Sequence, residues 1–122
     1  MARILVIDDE DLVRFTVEQI LMSAGHVVDT AENGAAGMRR QRQFPFDLVI
    51  TDIMMPEQDG IETIRALKAE FPNLPIIAIS GGGRMGNLNY LEMVKNFGVS
   101  IAIPKPFTPD EILTRVNTAL KH

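Results

Sequence analysis

Five residues of this chain have the types and spacing to do chemistry together: Asp8, Asp9, Asp52, Ser80 and Lys105. Each stands at or just past the end of a short apolar run. Asp8 and Asp9 follow RILVI, Asp52 closes LVIT, Ser80 closes PIIAI, and Lys105 follows VSIAIP. Aspartate is a poor strand former and is rarely buried without a partner, so an apolar run that ends on one needs a reason. Singly, each residue has a plain explanation. Asp52 can be a solvated turn residue, and Asp8 and Asp9 can sit near the positive end of the next helix. Ser80 can be an ordinary polar strand end, and Lys105 an exposed turn between two prolines. Jointly they describe something narrower. Carboxylates gathered within about 4–5 Å repel by a few kcal/mol per pair at an effective dielectric near 20, and so call for a proton or a cation. A set with no His or Cys selects a hard ion. Partly hydrated Mg²⁺ suits two or three carboxylates, whereas Ca²⁺ wants more oxygens. A cation and an ammonium beside a carboxylate nucleophile form a phosphoryl-handling arrangement, in which positive charge neutralises the phosphoryl oxygens.

Such a site needs elements that bring these residues to one place. Apolar runs at 3–7, 26–31, 46–51, 75–80 and 99–103 read as strands. Between them lie segments with helical spacing. Residues 11–24 place Val13, Val17, Ile20, Leu21 and Ala24 on one face, and Gly25 supplies the stop. ENG opens a weaker helix over 34–43, and residues 60–70 turn Ile61, Ile64 and Leu67 inward. A fourth helix is expected over about 87–97, ended by Gly98. TPDE at 108–111 starts the fifth, with Thr108 as cap, Pro109 in the first turn and Glu111 completing a capping box. Ile112, Leu113, Val116 and Leu120 then form its buried stripe. Near-continuous apolar strands alternating with amphipathic helices predict an α/β fold, a doubly wound five-stranded parallel sheet with five helices. In such sheets chemistry collects at the carboxyl ends of the strands. The first, third, fourth and fifth strands carry the five residues there, while the second leaves only Thr30 and Glu32.

The bulk numbers agree with one domain over 1–122. Of the 122 residues, 46% are hydrophobic and 23% charged, with a formal net charge of -4. That mild acidity argues against a nucleic-acid footprint, which is basic. The absence of cysteine excludes disulfides and thiolate chemistry. MARILVIDDE reaches acids too early for a signal peptide, and no apolar run has the length of a membrane span. A cytoplasmic domain that contacts neither membrane nor nucleic acid is expected. GGGRMG lacks the Gly-Lys-Ser/Thr of a phosphate-binding loop. Arg39, Arg40 and Arg42 read as a solvated helix face, and His26 as a strand-edge residue.

VIDDE, DLVITDIMMPEQDG, IIAIS and IPKPF, in this order and spacing, resemble the receiver domain of bacterial two-component response regulators, of the chemotaxis-regulator kind, over essentially the whole chain. The resemblance implies a flavodoxin-like strand order, 2-1-3-4-5. It implies a phosphorylation-controlled switch in which Asp52 accepts a phosphoryl group from a histidine kinase or phosphotransfer domain. Mg²⁺ would be held directly by Asp9, Asp52 and the backbone carbonyl of Met54, with Asp8 acting largely through a bound water. Lys105 would pair with the phosphoryl group, Ser80 would hydrogen-bond it, and a cis Lys105-Pro106 bond would aim the lysine inward. The partner would dock near the acidic pocket on the first helix, where Phe15 and Met22 lie seven apart, opposite the apolar stripe. The domain would be a stand-alone regulator or a receiver from a longer protein. It would assist its own phosphorylation and dephosphorylation without being an enzyme on other substrates.

The chain departs from that pattern in three places. Ala102 stands where the family usually has Tyr or Phe, so output is expected through loop and helix movement. The stretch GGGRMGNLN makes the segment between Ser80 and Lys105 longer than usual, and it is expected to order on phosphorylation. Met54 cannot activate a water, so slow loss of the acyl phosphate is expected. Two other functions compete. A phosphatase of the haloacid dehalogenase kind also uses a strand-end Asp, but it needs a second Asp where Met54 stands. A pseudo-receiver, a pure interaction module, would explain Ala102 but not the retained Asp8, Asp9, Asp52, Ser80 and Lys105.

Overall fold

Short runs rich in Ile, Val and Leu become the strands β1 (Arg3–Ile7), β2 (Val27–Ala31), β3 (Leu48–Asp52), β4 (Ile76–Ser80) and β5 (Ile101–Pro104). The computed structural model describes residues 2–52, 60–80, 101–104 and 107–121. All strand pairs are parallel, and the order is β2-β1-β3-β4-β5. The helices among the described residues are α1 (Asp11–Ser23), α2 (Gly34–Gln43), α3 (Gly60–Glu70) and α4 (Pro109–Leu120). The helix expected over about 87–97, the glycine loop at 81–87, Met54, Lys105 and Pro106 lie outside the described residues, as do the side chains of Ser80 and Ala102. No helix among the described residues is long and apolar enough to cross a membrane.

Strand side chains alternate between faces, and here both faces are dry. Leu5, Ile7, Val49, Ile76 and Ala78 pack with Met38 of α2 and Ile64 and Leu67 of α3. Their neighbours Ile4, Val6, Leu48, Ile50, Ile77 and Ile79 pack with Val17 and Leu21 of α1 and Ile112, Val116 and Ala119 of α4. This two-sided burial is why the central strands read as unbroken apolar runs. β2, at the edge, is only partly covered and carries Asp29 and Thr30.

The ends of the helices follow from local chemistry. Gly25 takes φ +91, which a side chain disfavours. Its N–H donates to Met22 O at 3.0 Å and that of His26 donates to Leu21 O at 3.2 Å, the paired bonds of a Schellman stop. Ala24, placed inward by spacing, sits at this cap and is exposed. Asn33 caps α2 by accepting from Ala36 N–H at 2.8 Å. Both halves of the Thr108–Glu111 capping box are present, at 2.8 and 3.1 Å. The α2 arginines form the exposed face expected of them, and two of them make surface ion pairs. Arg40 pairs with Asp29 at 3.2 Å, and Arg42 grips Glu70 of α3 through two nitrogens at 2.7 and 2.8 Å. Those hydrogen bonds hold the Glu70 carboxyl below its ordinary range.

One glycine has a packing role. A Cβ on Gly37 would lie 2.4 Å from Ile7 Cδ1 and 2.9 Å from Ile7 Cγ1, so the missing side chain lets α2 close on β1. Gly37→Ala gains helix propensity of up to ~1 kcal/mol but overpacks a buried contact at ~1–3 kcal/mol. A net destabilisation of about 1 kcal/mol is expected, read as a lower urea midpoint at unchanged slope. An equal or higher midpoint would contradict this account.

His26 accepts the Ala2 N–H on Nδ1 at 3.1 Å, which requires that nitrogen to be unprotonated. Partial burial, helped by the positive amino terminus, lowers its pKa from 6.5. The unfolded chain therefore takes up the proton first on acidification, and the native state loses stability as pH falls below about 6.5. Urea midpoints measured from pH 7.5 downward should fall less steeply below that point for His26→Gln than for the wild type. Parallel profiles would rule the contribution out.

Candidate functional site

The parallel register sets the site. Ile7 is level with Thr51 across the β1–β3 pair, so the next residues, Asp8 and Asp52, leave adjacent strands side by side. Asp8 N–H extends the ladder by donating to Ala31 O at 3.1 Å. Its carboxylate then accepts the Glu10 N–H at 2.9 Å, a turn in which the side chain replaces a backbone acceptor. Arg14 reaches back from α1 to donate to the Asp8 carbonyl at 2.7 Å, and also contacts the Asp11 carboxylate. On β3, Asp52 is level with Ile79, and Ser80 is level with Pro104. The β4 and β5 ends thus reach the same rim.

Asp8 is 0% and Asp52 2% exposed, in a sheet whose buried side chains are mostly aliphatic. Carboxylate oxygens of Asp8, Glu10 and Asp52 all lie within 4.8 Å of one another. At that spacing each ionised pair repels by about 3 kcal/mol for an effective dielectric of 20. A divalent cation among them would turn repulsion into attraction, and an all-oxygen set with two buried members fits a hard ion such as Mg²⁺.

Of the residues singled out from the sequence, Asp8 and Asp52 come together. Asp9 is exposed and is not one of the three gathered acids. Glu10 is, and the sequence reading passed over it. A signal was available: residues two apart on extended chain share a side, and Glu10 is extended at φ -95, ψ 118. Its side chain makes no capping bond to α1, although it occupies the cap position. Ser80 closes β4 at the rim. The Ser80 side chain, the Met54 carbonyl and Lys105 fall outside the described residues, so the lysine's approach to the acids stays an expectation. Beside the acids, α1 exposes Phe15 (57%) and also Leu12 (76%), which the sequence reading had not included, while Met22 (50%) is exposed in the last turn of the helix.

The family model of the response regulator receiver domain matches residues 4–117. The transcriptional regulatory protein ResD of Bacillus subtilis (strain 168) is 35% identical over 121 residues, which are 98% of this chain and 48% of ResD. The cell cycle transcriptional regulator CtrA of Caulobacter vibrioides is 30% identical, over 98% of this chain and 50% of CtrA. The chemotaxis protein CheY of Bacillus subtilis is 35% identical over 97% of this chain and 97% of CheY. The chain therefore spans about half the length of ResD and CtrA and nearly all of CheY. Among solved structures, a response regulator receiver domain protein from Clostridium thermocellum superposes with a TM-score of 0.91 at 29% identity, over 99% of this chain and 95% of that one. The receiver domain of NtrX from Brucella abortus gives 0.90 at 31% identity, over 97% and 98%. With its sheet order and its acids at the carboxyl rim, the chain belongs to the response regulator receiver domain family, the phosphorylation-controlled switches of two-component signalling.

Proposed function

We propose that Asp52 is the phosphoacceptor, supplied by the phosphohistidine of a histidine kinase or phosphotransfer domain. The observation that carries this is a buried carboxylate at the end of β3 sharing a cluster with Asp8 and Glu10. In the transfer, an Asp52 oxygen attacks phosphorus and forms a P–O bond. The P–N bond breaks, its electron pair stays on the imidazole nitrogen, and a proton neutralises that nitrogen. The product is a mixed anhydride on Asp52. Mg²⁺, when bound, supplies positive charge that offsets the crowded phosphoryl oxygens. Asp8, Glu10 and Asp52 are gathered to hold it. Exposed Asp9 and the Met54 carbonyl complete the ligand positions that the resemblance implies. Lys105 and Ser80 are assigned the remaining contacts with the phosphoryl group on the same ground.

The domain turns over no separate substrate in this reading; it contributes groups to its own phosphorylation and dephosphorylation, in the cytoplasm. Treatment with acetyl phosphate and Mg²⁺ should add one phosphoryl group to the intact protein by mass. Asp52→Asn, or excess EDTA, should abolish the gain. Wild-type protein that gains nothing would instead favour a pure interaction module, and continuous release of phosphate from added phosphomonoesters a phosphatase.

The kinase-side partner is proposed to seat on Leu12 and Phe15, one turn of α1 away from the acids. Phe15→Asp should slow transfer from a phosphorylated kinase or phosphotransfer domain by about tenfold, the equivalent of ~1.4 kcal/mol. It should leave the acetyl phosphate reaction unchanged, because that small donor needs no docking surface. Equal losses with both donors would argue that Phe15 supports the site itself.

A further inference from the structure

We infer that Arg14 is a positioning residue of the acidic site, holding Asp8 in the orientation that receives a cation. The inference rests on the reading of this rim as a Mg²⁺ site. An arginine in the first turn of a helix ordinarily extends into water. The Arg14 side chain is only 17% exposed. It folds back over the β1–α1 turn, with Nη1 donating to the Asp8 carbonyl at 2.7 Å and Nη2 meeting the Asp11 carboxylate. Asp11 is 91% exposed, so that ion pair in water is a weak reason for the conformation. The partly buried bond to a backbone carbonyl, charge-assisted and short, is the stronger one.

That bond completes a three-point hold on one residue. The Asp8 N–H is fixed to Ala31 O, its carbonyl to Arg14, and its carboxylate to the Glu10 N–H. Remove the guanidinium, and the peptide joining Asp8 to Asp9 loses its anchor from α1. The Asp8 carboxylate and the Glu10 turn that define the site's geometry then loosen with it. Arg14 also donates its own backbone N–H to Glu10 O at 3.0 Å, so the first turn of α1 and the acidic turn are tied twice.

Charge and position make opposite forecasts here. A guanidinium near a cation site repels the cation, so if Arg14 acted only through charge, its removal would tighten Mg²⁺ binding. If it acts by holding Asp8, its removal weakens binding despite the relieved repulsion. Losing a group that orients metal ligands commonly costs 10–100-fold in affinity. Arg14→Gln should therefore bind Mg²⁺ about tenfold more weakly than wild type in calorimetric titration of the full chain with MgCl₂. Arg14→Lys keeps the charge but loses the planar fork that reaches two acceptors, and should also bind severalfold more weakly. Tighter binding by Arg14→Gln, or wild-type affinity in Arg14→Lys, overturns the inference; the second also decides the matter if Arg14→Gln does not fold. Hydrogen exchange of the Glu10 amide without Mg²⁺ gives an independent readout. Faster exchange in Arg14→Lys is expected, while amides in β1 keep their wild-type rates; an unchanged Glu10 rate counts against the role. Should wild-type protein fail to bind Mg²⁺, the cation reading falls, and the Glu10 amide still tells whether Arg14 holds Asp8.

Discussion

Like-charge crowding at one rim of the sheet is the constraint from which the rest follows. Two carboxylates, Asp8 and Asp52, are buried side by side because β1 and β3 run parallel in a register that levels Ile7 with Thr51. Glu10 joins them across a two-residue turn. No part of the hydrophobic core asks for this, since burying ionised groups in a dry sheet is costly unless they are paired. Around them both faces of the sheet are packed largely with aliphatic side chains, which supply stability elsewhere. A cation among the three acids would lower this repulsion.

The opposite rim shows what polar residues do when they serve the fold alone. There Asp47 accepts the Arg3 N–H at 2.9 Å, and Gln41 accepts the Phe46 N–H at 2.9 Å. Lys68 closes the turn after α3 through the carbonyls of Pro72 and Leu74. Arg3 lies against the rings of Phe44 and Phe46. Each such group answers a local need of the backbone or a neighbouring charge of opposite sign. At the amino-terminal rim, polar atoms are matched in unlike pairs. At the carboxyl-terminal rim, three like charges converge.

Much of this was legible in the residues, for identifiable reasons. Helix ends written in local chemistry, Gly25 and the Thr108–Glu111 box, appear where the sequence places them, because capping involves groups five or fewer residues apart. The inward stripe of α4 is present in Ile112 and Val116. Strand order was a different matter: apolar alternation predicts a parallel sheet, yet only the family resemblance supplied the order. Gly37 could not have been singled out, since its role depends on how closely α2 meets Ile7, a distance that no pattern encodes. His26 was read as a strand-edge residue, and its bond to Ala2 crosses from the end of α1 to the start of β1. Glu10 and Arg14 were missed for a subtler reason. Glu10 sits in the turn between β1 and α1 and Arg14 in the first turn of α1, and their roles depend on backbone direction at two or three residues.

That turn is also where the fold and its chemistry are hardest to separate. α1 is anchored to the sheet by Val17 and Leu21, and to the acidic turn by Arg14. The same helix exposes Leu12 and Phe15 one turn from the acids. A partner that shifts α1 by pressing on Leu12 or Phe15 would thereby act on the Asp8 carbonyl through Arg14, and a change in the ion held by the acids would act back on α1 through the same bond. Such coupling is reciprocal by thermodynamic necessity. The short path needs no rearrangement of β5, where Ala102 leaves no bulky ring to swing. The β1–α1 turn suits such a link, because a buried carboxylate, a part-buried guanidinium and an exposed apolar face meet there within eight consecutive residues, Asp8 to Phe15.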